Sequence, residues 1–283
     1  MKTYVLYNQK SNNGAGLGGA EKLKEIWKDK ELDFVNALEL DDYAGFFRGL
    51  AADDVVCVCG GDGTLNYLIN NVDCDKITNK IFYYPTGSGN DFWTDIEKKP
   101  GDAPEQINKY LINLPVVTVN GKTSKFINGV GYGIDGYCCE EGDRQREKSD
   151  KPINYTSIAI KGMLYKYKPT NAVVEVDGKI STYNHAWLAP TMKGRFYGGG
   201  MMAAPHQNRL DPDRKVTCMV MYGAGKLRTL IAFPKIFKGE HVKTKLVNVM
   251  KGKRIKVRFD RPVALQIDGE TVLNVKEYFV DSK

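Results

Sequence analysis

Histidine is scarce in this chain, with three in 283 residues, and cysteine numbers only six. There is no CxxC pair and no His at zinc-finger spacing, which removes a structural zinc framework from the options. The adjacent Cys138 and Cys139 are the one pair left open to a metal. The simpler reading makes all six cysteines reduced thiols of a cytoplasmic protein. No run of about 18 apolar residues occurs, so no membrane-spanning helix is expected. The first apolar stretch ends at Asn8, too soon for a signal-peptide core. Internal repeats and low-complexity segments are also missing. Apolar residues make up 42% and charged residues 27%, far from a disordered or collagen-like chain. A chain this long buries enough surface to need no disulfide or metal staple.

What is present is unevenly placed charge. The net charge is +7. Residues 1–120 carry 12 Lys and Arg against 18 Asp and Glu, whereas 121–283 carry 29 against 16. An acidic first part and a strongly basic second part point to two modules with different work.

The hydrophobic pattern changes at the same place. Thr3–Tyr7, Leu32–Leu38, Val55–Cys59 and Ile81–Tyr84 read as strands. Ala20–Lys30, Tyr43–Ala51 and Thr64–Val72 between them have helical spacing. The continuous apolar run Val55–Cys59 is expected to be buried on both faces. Alternating strands and helices predict an α/β domain over 1–120 with a doubly wound, mostly parallel sheet. After about Leu114 strands dominate: Val116–Val119, Lys125–Ile127, Val173–Val176, His185–Ala189, Val216–Met221, Arg254–Phe259, Val263–Ile267 and Val272–Val275. Asn120-Gly121, Asp177-Gly178 and Asp268-Gly269 are hairpin signals. Ile153–Tyr167 and Lys226–Phe237 are the clearest helices. Residues 121–283 are therefore expected to form a β-rich, antiparallel sandwich-like domain.

Gly60-Gly61-Asp62-Gly63-Thr64 interrupts a strand and opens a helix. Glycine there lets backbone approach a ligand, and helix N-terminal amides suit phosphate. Asp62 could hold a phosphate-bound metal ion; the plainer reading is a βα turn with a helix-capping Asp. Gly87-Ser88-Gly89-Asn90-Asp91 repeats the pattern after the next strand, and Asn8-Gln9-Lys10-Ser11 ends the first. Three such loops at the carboxyl ends of parallel strands point to one nucleotide site. None matches a Walker or GxGxxG fingerprint.

With these residues in hand, the chain resembles the diacylglycerol kinase catalytic family, in particular its soluble bacterial YegS-like lipid kinases. The resemblance spans nearly the whole length. Its markers are GGDGTLN at Gly60–Asn66, PTGSGNDF at Pro85–Phe92 and FINGVGYGID at Phe126–Asp135. RFYGGGM at Arg195–Met201, then Ala204-Pro205, and QIDGE at Gln266–Glu270 complete the series. The resemblance implies a two-domain, ATP-using, magnesium-dependent enzyme that phosphorylates a lipid hydroxyl, with diacylglycerol the leading acceptor. By matching motifs, Gly60, Gly61, Asp62, Gly63, Thr64, Leu65, Asn66 and Tyr67 would line ATP, together with Gly87, Ser88, Gly89, Asn90 and Asp91. Asn8, Lys10 and Ser11 would lie over the phosphates. Asp62 would help hold the nucleotide's Mg²⁺. Asp268 and Glu270 would be catalytic carboxylates, one accepting the hydroxyl proton. Without the resemblance, Asp268-Gly269-Glu270 reads as a hairpin turn. A separate structural magnesium would match Leu210, Asp213 and Lys215.

Three departures stand out. Tyr67 replaces a usual Glu, Val117-Thr118 offers no carboxylate where the family often has an Asp, and Leu40-Asp41-Asp42 replaces a usual Thr. Two other readings stay open: an NAD kinase-like small-molecule kinase, and a lipid- or nucleotide-binding protein without catalysis. Eleven Lys and Arg between Lys226 and Arg258 predict peripheral attachment to a membrane surface. Leu227, Leu230, Ile231, Phe233, Ile236 and Phe237 lie among the first of them, as an interfacial helix requires. A core-packed helix and a solvated face are the alternatives. No motif accompanies the charge that would make nucleic acid the partner. A homodimer is left open.

Overall fold

The structure, a computed structural model, describes residues 1–87, 89–148 and 153–282. The chain divides into two compact units, Met1–Leu114 and Pro115–Lys283.

The first unit is built on five strands: β1 (Thr3–Tyr7), β2 (Leu32–Asn36), β3 (Val55–Gly60), β4 (Lys80–Pro85) and β5 (Glu105–Gln106). Their order is β2-β1-β3-β4-β5. The first four run parallel, and β5 is antiparallel to β4. Every residue of β3 is buried, as its unbroken apolar run requires. The chain leaves β1 toward β2 and then returns to β3 on the other side. The strand order thus reverses between β1 and β3, and this switch point is where open α/β sheets bind ligands. The expected helix Ala20–Lys30 is instead two short pieces, Gly16–Glu21 and Leu23–Ile26.

Among its described residues the second unit carries a sheet of ten strands. They are β6 (Val116–Val119), β7 (Lys122–Lys125), β8 (Gly129–Tyr132), β9 (Thr170–Val176), β10 (Lys179–Ala186), β11 (Thr191–Met192), β12 (Val216–Met221), β13 (Val247–Gly252), β14 (Arg254–Ile267) and β15 (Glu270–Asp281). All their pairings are antiparallel. β14 organises the unit. It pairs with β15 along its length, with β9 near its start and with β8 near its end. Two strands were expected over this stretch. Register shifts between Arg258 and Leu265 bend one 14-residue strand instead, so it serves both partners. The three Asx-Gly pairs make tight turns between β6 and β7, β9 and β10, and β14 and β15. Asn120, Asp177 and Asp268 have φ of 47°, 49° and 48°, and the glycines that follow have 77°, 86° and 98°. Positive φ at both central residues is the primed turn that matches strand twist.

The helix Ile134–Arg146 lies outside the elements expected from sequence, and its Gly136 and Gly142 carry low helix propensity. Here they permit contact. A Cβ on Gly136 would lie 2.0 Å from the Ala264 carbonyl oxygen of β14, and one on Gly142 would lie 2.8 Å from the Tyr155 ring.

Candidate functional site

In the first unit the loops after β1, β3 and β4 meet backbone to backbone. Thr86 and Gly87 N–H groups both donate to the Gly60 carbonyl, at 2.9 and 3.2 Å, and the Tyr83 hydroxyl donates to it at 3.0 Å. Asn8 N–H donates to the Cys59 carbonyl at 3.3 Å. The glycines answer this crowding, not a need for positive φ. A Cβ on Gly87 would stand 2.6 Å from Gly61 Cα, and one on Gly60 would stand 2.1 Å from Thr64 Oγ1. The helix Asp62–Asn71 starts here, with Gly61 as its N-cap.

Asp62 is the first residue of that helix and not its N-cap. Its carboxylate reaches the other loop and accepts the N–H groups of Asp91 at 2.8 Å and Phe92 at 3.0 Å. These are the first residues of the helix Asp91–Asp95, where a carboxylate satisfies free amides and the positive helix end. Asp62 therefore fastens the two glycine loops together. The reach spans about 30 residues of chain and left no local signal.

The remaining expected nucleotide residues separate into groups. Gly60, Gly61, Gly63, Gly87, Gly89, Asn90 and Asp91 belong to the joined loops. Asn8, Lys10 and Ser11 form a turn in which Asn8 Oδ1 accepts Lys10 N–H at 2.9 Å and the Asn8 carbonyl accepts the Ser11 hydroxyl at 2.8 Å. Thr64 and Leu65 are buried, and the Leu65 side chain is core. Asn66 is half-buried on the same helix. Tyr67 faces outward and meets the Tyr43 ring edge-on, with centroids 5.0 Å apart. Ser88 lies outside the described residues. Asp42, in the third departure from the family pattern, caps the helix Tyr43–Arg48, accepting Gly45 N–H at 2.6 Å and Arg48 at 2.7 Å. Thr86 Oγ1 and Asn90 Oδ1 are buried and meet no partner among the described residues. Buried polar atoms are rarely left so, and both sit on the second loop. Crowded glycine backbone with the Thr86 hydroxyl free to donate fits a phosphate-bearing ligand, while Asn90 Oδ1 can only accept from a donor group.

In the second unit the Asp268-Gly269 turn joins β14 to β15. The Asp268 carboxylate turns inward. It accepts N–H groups from Ile127 at 2.7 Å, Asn128 at 2.8 Å and Gly129 at 2.9 Å. Asp268 N–H donates in return to the Gly129 carbonyl at 3.0 Å. Glu270, two residues on, is exposed. The pair thus faces different surroundings. Gln266 Oε1 accepts Gly269 N–H at 2.6 Å and holds the turn.

Four residues here, Arg209, Lys193, Asp135 and Tyr197, have no role assigned by the sequence reading, although the last two fall within its motifs. Arg209 donates to the Ile127 carbonyl and, at 2.9 Å, to Asn128 Oδ1. Lys193 is buried beside it, and its N–H donates to the Asn128 carbonyl at 2.9 Å. Burial, with Arg209 adding repulsion, pushes the Lys193 ammonium down to about 8. Asp135 is buried in the first turn of the helix Ile134–Arg146. It accepts the Tyr197 hydroxyl at 3.0 Å and Gly136 N–H at 2.9 Å. Burial pushes its carboxyl up to about 6, against the pull of those hydrogen bonds. The Asp135–Tyr197 bond ties together two of the segments that carry the family resemblance.

Leu210, Asp213 and Lys215 lie on one exposed loop. The Lys215 ammonium pairs with the Asp213 carboxylate at 2.9 Å and holds it below the usual carboxylate range. Gln207 Nε2 already donates to the Lys215 carbonyl at 2.9 Å. The one carboxylate of the three is thus held in a solvent-exposed ion pair, an interaction weak enough to yield to another cation. Among the described residues, no three His, Cys, Asp or Glu side chains are grouped to hold a metal. All six cysteines are free, and burial pushes the Cys138 and Cys139 thiols up, away from the thiolate a metal needs.

The first unit is a doubly wound α/β module with glycine loops at its switch point, and the second is an antiparallel β module. Residues 2–119 match the sequence model of the diacylglycerol kinase catalytic domain. Residues 128–277 match the YegS C-terminal NAD kinase beta sandwich-like domain. The chain belongs to this YegS-like family of lipid kinases. It is similar to a diacylglycerol kinase of Mycobacterium tuberculosis, 25% identical over 268 residues that cover 90% of this chain and 84% of the relative. A diacylglycerol kinase of Bacillus subtilis is also 25% identical, over 77% of this chain and 71% of its own. The crystal structure of a diacylglycerol kinase from Bacillus anthracis shares the fold, with a TM-score of 0.65. It is 19% identical, over 99% of this chain and 93% of that one. Among the described residues, no helix is long and apolar enough to cross a membrane.

Proposed function

We propose that this chain is an ATP-dependent lipid kinase acting at a membrane surface, with a diacylglycerol-like hydroxyl as acceptor. The observation that carries the reading is the backbone cradle of the first unit, in a chain whose relatives include diacylglycerol kinases. Gly60, Gly61, Gly87, Asn90 and the Asn8–Ser11 turn would hold the nucleotide. ATP supplies the transferred phosphoryl group when bound. Asp62 is assigned the work of keeping the two glycine loops in register.

Glu270 is the better candidate for the base. It is exposed on a turn that Asp268 and Gln266 hold rigid, so its carboxylate is available to an acceptor hydroxyl. A hydroxyl is a weak nucleophile, and taking its proton as transfer proceeds lowers the barrier. Asp268 is assigned a positioning role, because its carboxylate already holds three amides.

The test is transfer of label from γ-³²P-ATP to a total lipid extract, with chemical identification of the product. A labelled phospholipid derived from a diacylglycerol is expected. Label passing to nicotinamide dinucleotide added in a parallel assay and not to lipid, or ATP binding with no labelled lipid, would overturn the proposal.

A further inference from the structure

One face of the second unit combines exposed apolar side chains with charge of a single sign. The helix Tyr155–Lys161 runs into a π turn, Gly162–Lys166, and the helix Lys226–Ala232 packs against that turn. Lys226 Nζ fastens them by donating to the Leu164 carbonyl at 2.8 Å. Tyr165 is 76% exposed, Leu227 70% and Ile231 66%, and Ile160 and Phe237 are exposed beside them. Apolar surface grouped like this marks a place of contact.

The charge says with what. Residues 153–168 contain Lys161, Lys166 and Lys168 and no Asp or Glu. Residues 224–239 contain Lys226, Arg228, Lys235 and Lys238 and again no acid. A cavity of about 620 Å³ adjoins the π turn and carries the charge inward, lined by Lys166, Lys168 and Arg261 with Glu140 as its acid. The Tyr167 hydroxyl there is buried and meets no partner among the described residues. A second copy presenting the same face would set seven cations against seven. An anionic surface with an apolar interior suits both features: ammonium groups stay among the headgroups while Leu227 and Ile231 enter the acyl boundary. The rest of the basic run differs. Lys256 pairs with Glu277 at 3.1 Å, and Arg254–Phe259 alternates exposed cations with buried apolar residues, the pattern of a solvated sheet face.

We infer that the face formed by the π turn and the helix Lys226–Ala232 seats this protein on an anionic phospholipid bilayer. The inference deepens the lipid-kinase reading by naming the surface, and its test needs no turnover. The full chain is sedimented with vesicles of phosphatidylglycerol and phosphatidylcholine in equal parts, and with phosphatidylcholine alone. Binding to the mixed vesicles only, weakening as salt rises, is expected. Leu227→Glu with Ile231→Glu lowers the partition coefficient about tenfold or more, since it removes insertion and adds repulsion. Both side chains face water, so the unfolding midpoint stays put. Leu227→Ser with Ile231→Ser loses less in the same direction. Lys251→Glu with Lys253→Glu binds within about twofold of wild type. Glu variants that sediment like wild type, equal binding to neutral vesicles, or a dimer that the Glu variants dissociate would each overturn the inference. Absence of turnover on a dispersed short-chain acceptor would count against the kinase reading and leave the sedimentation result standing.

Discussion

At Asp268 three backbone amides converge on one carboxylate, while at Glu270 none of the described side chains takes a hydrogen bond or ion pair. The difference separates two roles that a shared motif leaves merged. Asp268→Asn puts an amide NH₂ where an acceptor must be, so at least one buried N–H loses its partner. Hydrogen bonds to charged groups are worth about 1.5–3 kcal/mol, and an orphaned amide adds to that. We expect Asp268→Asn to lose about 2–4 kcal/mol in urea unfolding, with activity falling alongside stability. Glu270→Gln removes no such bond and should unfold within about 0.5 kcal/mol of wild type. Its kcat should drop by about 10²–10⁴, the range for a lost general base, with KM for ATP little changed. If Glu270→Gln retains full turnover while folded, the base lies elsewhere. Both carboxylates were visible in sequence as a pair two residues apart. What divides them is contact across about 140 residues of chain, which spacing does not encode.

At the scale of elements, local chemistry wrote what could be read. The buried run of β3 and the three Asx-Gly turns follow from side-chain period and from φ, both short-range properties. The helix Ile134–Arg146 was hidden because its glycines serve contacts with β14 and Tyr155, not local propensity. Asp135 in its first turn carries a second long-range property, its shifted carboxyl. Tyr197, Cys138 and Cys139 lie around it. Between about pH 4 and 6 the folded carboxyl binds a proton that the unfolded one releases, so stability falls as pH rises through that window. Above it the full cost remains, on the order of 3 kcal/mol for a shift from 3.8 to about 6. Asp135→Asn keeps the geometry, with Oδ1 accepting Gly136 N–H and Nδ2 donating to the Tyr197 oxygen. The variant should therefore gain stability relative to wild type between pH 4 and 7, and hold that gain above pH 7. Urea unfolding at three pH values measures it. A constant difference across the range would mean that Asp135 titrates normally.

The described residues form two sheets, and each unit buries its own apolar side chains. Val5, Leu23, Cys57, Cys59 and Tyr84 pack in the first unit, and Phe126, Tyr132, Trp187, Phe259 and Tyr278 in the second. The acidic and basic halves of the sequence follow the same partition. Units with separate cores are expected to unfold as separate cooperative steps, where one ΔG no longer describes the chain. The three tryptophans make this testable, since Trp27 and Trp93 lie in the first unit and Trp187 alone in the second. Trp187 is fully buried, with its indole N–H donating to the Ala224 carbonyl at 2.8 Å. In a chain carrying Trp27→Phe and Trp93→Phe, fluorescence reports the second unit, and circular dichroism reports both. Two transitions should appear in urea. Asp268→Asn should lower the one that Trp187 follows and leave the other in place. Mg·ATP at 100 times its dissociation constant should raise the other by about 2.7 kcal/mol, because a ligand stabilises the unit that binds it. A single transition followed alike by Trp187 and by circular dichroism would show the units unfolding as one. A Mg·ATP shift confined to the Trp187 transition would place the nucleotide in the second unit and overturn the role given to the glycine loops.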